Sequence, residues 1–79
     1  MKTRLPSGRT AGELLDMYFL EARMHLLETA SILDRVARAR GGKAVVRDPR
    51  VKKLLAGARL LSDGRPDRAE RFQRLFSAD

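Results

Sequence analysis

Between Thr10 and Arg40 the chain carries one uninterrupted amphipathic helical pattern, more than a third of its 79 residues, and the pattern has two apolar stripes where one is usual. A helix with two apolar faces needs two packing partners. At 100° per residue, Leu14, Leu15, Tyr18, Phe19, Ala22, Leu26, Ala30, Ile32, Leu33, Val36 and Ala37 share one broad arc, which reads as a core face. On the far side Met17, Leu20, Met24 and Leu27 recur at spacings of 3, 4 and 3, a short coiled-coil-like seam flanked by Asp16, Arg23 and Glu28. Beyond Leu27 that side turns polar through Ser31, Asp34, Arg35 and Arg38, so only the first half of the helix is apolar all round.

Both ends of this helix carry signals. Thr10-Ala11-Gly12-Glu13 fits a capping box, in which threonine and glutamate satisfy each other's backbone amides. Arg38 and Arg40 suit the negative end of the helix dipole, and Gly41-Gly42 follow as residues able to take the left-handed cap. A helix over about residues 11–40 is expected. Lys43 to Arg47 reads as a connector. Asp48-Pro49 then marks a second start, aspartate capping free amides and proline occupying the first helical position. This helix is expected over about 49–61, with Val51, Leu54, Leu55, Ala58 and Leu61 inward and Leu60 off the stripe. Pro66 is expected to open a third helix over about 66–77, whose apolar face is Ala69, Phe72, Leu75 and Phe76.

The fold class is therefore all-α: one long helix with two shorter helices packed on it, completed as a helical-bundle dimer. A chain this short is a single domain, over 1–79, near the size at which one core is marginal, which favours an oligomer. Residues 1–9 are expected as a flexible tail. They are basic with no apolar run behind them, so neither a secretory signal nor a membrane span is expected, and a cytoplasmic location is the default. With no cysteine there is neither a disulfide framework nor a thiolate site.

The net charge of +7 is unevenly placed. Residues 11–37 set Glu13, Asp16, Glu21, Glu28 and Asp34 against Arg23 and Arg35, leaving −3. Residues 38–59 set Arg38, Arg40, Lys43, Arg47, Arg50, Lys52, Lys53 and Arg59 against Asp48 alone, leaving +7. The long helix is acidic and the block after it strongly basic. Such a block attracts phosphates or an acidic protein surface through long-range steering. Arg65, Arg68, Arg71 and Arg74 also recur every third residue, a ribbon around the last helix interrupted by Asp67 and Glu70.

The run Tyr18-Phe19-Leu20-Glu21-Ala22-Arg23 to His25-Leu26-Leu27-Glu28, with Leu33-Asp34-Arg35 and later Arg68-Ala69-Glu70-Arg71 to Phe76-Ser77, resembles a group of small bacterial α-helical proteins without an established activity. The resemblance spans most of residues 14 to 77. It implies a helical fold and assigns no catalytic or binding residue.

The inventory for catalysis is thin. There is one histidine, and Ser7, Ser31, Ser62 and Ser77 fall at termini, a cap or a helix surface, so no catalytic residue and no triad is expected and the chain is read as non-enzymatic. Glu21, His25 and Glu28, at i, i+4 and i+7, lie along one edge as potential metal ligands whose set a symmetric dimer could double, yet a lone histidine among helical carboxylates is ordinarily a surface hydrogen-bonding residue. No cofactor is expected. Gly41-Gly42-Lys43 lacks phosphate-loop spacing and follows a helix where such a loop follows a strand. The expected function is a helical interaction module that homo-oligomerises through Met17, Leu20, Met24 and Leu27. The runner-up is binding of nucleic acid, another polyanion or an acidic protein through Arg38, Arg40, Lys43, Arg47, Arg50, Lys52 and Lys53. Membrane association is not expected, because the basic helix is short and has no aromatic anchor.

Overall fold

A computed structural model describes residues 8–77. It contains α1 (Ala11–Arg38), α2 (Gly42–Val45), α3 (Pro49–Leu61) and α4 (Arg68–Ser77), with no strand among the described residues. The protein is all-α. Two compact units meet in sequence between Arg35 and Val36. Most of the expected N-terminal tail, residues 1–7, lies outside the described residues.

In the first unit the capping box forms as the sequence predicts. The Thr10 amide donates to Glu13 Oε1 at 2.9 Å, and the Glu13 amide donates to Thr10 Oγ1 at 3.2 Å. From this cap 28 residues continue as α1, about 42 Å at the standard rise. None of them is buried. The broad arc, expected as core, is largely open: Leu15, Tyr18, Phe19 and Leu26 are each more than half exposed, while Leu14 and Leu33 are half-buried.

In the second unit α1 stops at Arg38, two residues short of the expected end, because the chain tightens there. The Ala39 amide turns back to the Val36 carbonyl at 3.3 Å, and Gly41 takes the left-handed conformation with φ 84°. Gly42 must be glycine, since a Cβ built on it would overlap the Ala37 carbonyl oxygen. The expected connector holds a single helical turn, α2, and then Asp48 caps α3 by accepting the Arg50 amide at 2.8 Å. At the far end of α3 the Ser62 amide and hydroxyl both reach the Arg59 carbonyl, at 3.1 and 3.0 Å.

Helix α4 starts at Arg68, not at Pro66. Asp67 sits at φ 59°, a left-handed conformation that no helix interior accommodates, and its carbonyl accepts the Arg71 amide at 3.0 Å as the cap. The packing of α3 on α4 centres on Gly57, which is buried. The Phe72 ring lies on its backbone, so that a Cβ at Gly57 would stand 2.6 Å from Phe72 Cε2, and Phe76 stacks on Phe72 with centroids 4.7 Å apart.

This contact shifts the packed side of α3 from the expected stripe in part. Val51 and Leu54 are half-buried as expected, and so is Leu60, whereas Leu55, Ala58 and Leu61 are exposed. Leu60, expected off the stripe, belongs to the packed side. The cause is steric: the ring needs a gap, and only glycine leaves one. Gly57→Ala gains about 1 kcal/mol of helix propensity but drives the methyl into the ring, so a net loss of thermal stability is expected. In a Phe72→Ala background the same substitution should stabilise by about 1 kcal/mol. Circular dichroism melts of the four proteins form a double-mutant cycle. Equal stabilisation in both backgrounds would remove the ring from Gly57.

Candidate functional site

The seam residues all lie on α1 and all face solvent: Met17 51%, Leu20 67%, Met24 49% and Leu27 51% exposed. Helical spacing brings them to one side, and the Arg9 guanidinium rests against the Met17 thioether at the N-terminal end of the row. Leu27, Glu28, Ser31, Ile32 and Arg35 line a shallow groove where the row turns polar.

Glu21, His25 and Glu28 do come together along one edge. The Glu21 carboxylate lies 3.7 Å from His25 Nε2, and the Glu28 carboxylate 3.7 Å from His25 Nδ1. Each glutamate faces a different ring nitrogen. An ion bound at either nitrogen therefore meets one of the two carboxylates, and all three side chains are about two-thirds exposed. Among the described residues no group of three such side chains is arranged to hold a metal ion. The serines hold structure: Ser77 Oγ donates to the Gln73 carbonyl at 2.7 Å, and Ser62 is the C-cap of α3. Ser7 lies outside the described residues.

The cations divide into two kinds. Arg71 grips Asp63 with both terminal nitrogens, at 2.8 and 3.1 Å, and also donates to the Arg65 and Pro66 carbonyls, each at 3.0 Å. Arg68 Nε donates to the Leu61 carbonyl at 3.1 Å, which satisfies the end of α3. Arg74 pairs with Glu70 at 2.7 Å, and Arg50 with Asp48 at 2.9 Å. Three arginines of the last helix's ribbon are thus held by the second unit itself. By contrast Arg40, Lys43, Arg47, Lys52 and Arg59 are exposed, and none enters these pairs. They follow one another from the end of α1 through α2 into α3, all within the second unit.

Compared with protein-family models, curated proteins and solved structures, the chain matches none. No described helix is long and apolar enough to cross a membrane.

The Arg71 grip was not visible in the sequence, where Asp63 and Arg71 are eight residues apart and belong to no local motif. Its electrostatic mark is on Asp63. The Arg71 guanidinium, and next the Arg65 amide that donates to Asp63 Oδ1 at 2.9 Å, lower its carboxyl from 3.8 to about 2. A folded value below the unfolded one means that the stabilisation is present above 3.8 and lost as pH falls through about 2. Asp63→Asn should therefore melt below wild type at neutral pH, and the two melting curves should converge as pH approaches 2. A gap that stays constant across that range would show that the carboxylate charge is not what holds the turn.

Proposed function

We propose that the chain is a non-enzymatic helical interaction module that self-associates through α1, its seam of Met17, Leu20, Met24 and Leu27 completing a helical-bundle homodimer. The observation that carries this is exposure: α1 has no buried residue, and no hydrophobic side chain among the described residues is buried. A small chain in that condition needs a partner to form a core.

A second copy fits because the seam is self-complementary. With a two-fold axis at Ala22, an antiparallel pair sets Met17 opposite the partner's Leu27 and Leu20 opposite the partner's Met24. Charge favours the same arrangement. The basic block begins at Arg38, so a parallel pair would hold two such blocks side by side, whereas the antiparallel pair puts the α1 ends about 48 Å apart, far beyond a screening length of about 8 Å. Each seam side chain starts about half exposed, and burying it stabilises by roughly 1 kcal/mol. Eight of them are of the same order as the cost of association. The seam by itself therefore roughly balances that cost, and a micromolar dimer requires burial of the broad arc as well. A cytoplasmic location accords with this reading.

Sedimentation equilibrium at micromolar concentration tests it. Wild type should run as a dimer, and Met24→Glu or Leu27→Glu should shift it to monomer with helix content retained in concentrated samples. A wild-type monomer, or a dimer indifferent to both substitutions, rules the seam out.

A further inference from the structure

We propose that the exposed cations running from the end of α1 through α2 into α3 form a surface that binds the phosphate backbone of duplex nucleic acid without reading sequence. Beyond this block, Arg68 and Arg71 are held by carbonyls and a carboxylate around the α3–α4 turn, and the charge of Arg74 is paired at the surface with Glu70. Asp48, the single acidic residue of the 38–59 block, is paired with Arg50 and does not neutralise the others. Within the block Arg40, Lys43, Arg47, Lys52 and Arg59 are exposed and enter none of these pairs.

The chemistry of this surface selects among anionic partners. The 38–59 block contains no aromatic residue, so there is nothing for an unpaired base to stack on, and single strands gain no advantage over a duplex. With no aromatic residue it also lacks the interfacial anchor by which a short basic helix settles into a lipid surface. Arginines and lysines distributed over α2, α3 and the turns before each suit a regular array of phosphates, as a duplex backbone provides. This inference stands on the second unit alone and is independent of self-association through α1.

The test is fluorescence anisotropy of the full chain with a random-sequence DNA duplex, an RNA duplex, a single strand of equal charge, poly-glutamate and anionic lipid vesicles, over a salt series. Five phosphate contacts give a slope of about −4.5 in log K against log salt, an affinity loss of about 500-fold between about 50 and 200 mM salt. Arg47→Ala and Lys52→Ala should each reduce the slope by about 1, and the double charge reversal Arg47→Glu with Lys52→Glu should weaken binding more than tenfold with the circular dichroism spectrum unchanged. Arg74→Ala removes the same charge from α4 and should change little. The idea is overturned by no duplex binding at low salt, by equal losses in Arg47→Ala and Arg74→Ala, or by a single strand, poly-glutamate or vesicles binding as tightly as the duplexes. Comparison of the two duplexes shows whether DNA or RNA geometry is preferred.

Discussion

A lone α-helix cannot cover its own side chains, and α1 carries apolar residues on two sides of a 28-residue cylinder. That constraint governs everything else about the chain. Leu15, Tyr18, Phe19, Leu20 and Leu26 each keep more than half their surface in solvent, and leaving apolar area wet forgoes about 25 cal/mol per Å². The capping box at Thr10 and Glu13 fixes where α1 begins but contributes only a few hydrogen bonds. Local signals thus set the length of the helix, and its stability is what the proposed association would supply.

The second unit solves the same problem with small contacts. Its α3–α4 packing is a ring laid on a glycine, reinforced by a second ring, and the turn between the helices is closed by one arginine that reaches a carboxylate and two carbonyls. Arg71 is the better buried member of that pair, its side chain 16% exposed against 33% for Asp63. It serves as a fastener, because its planar fork meets several acceptors at once, which a lysine at the same place could not do. The arginines of this chain therefore have two different physical roles, and residue type alone does not separate them.

Features decided within a few residues were legible in the sequence. Thr10 and Glu13 name each other as cap partners, Asp48-Pro49 fixes the start of α3 at Pro49, and Gly41 supplies the left-handed turn after α1. Features decided by contacts across a turn were not. Hydrophobic periodicity counts Gly57 as neutral, yet its missing side chain determines which side of α3 is packed. Pro66 looks like a first helical position, but the left-handed Asp67 after it delays α4 to Arg68. At the candidate surfaces, the seam residues lie where periodicity put them, while the division of cations into fasteners and exposed charges required the fold.

The two surfaces obey different physics, and this keeps their consequences apart. Burial of Met17, Leu20, Met24 and Leu27 is driven by apolar area, which added salt does not weaken and which excluded salts such as sulfate strengthen. Phosphate contacts by Arg40, Lys43, Arg47, Lys52 and Arg59 fall steeply as salt rises, through counterion release. A salt series therefore separates the two proposed surfaces: seam association should persist or strengthen while phosphate binding weakens.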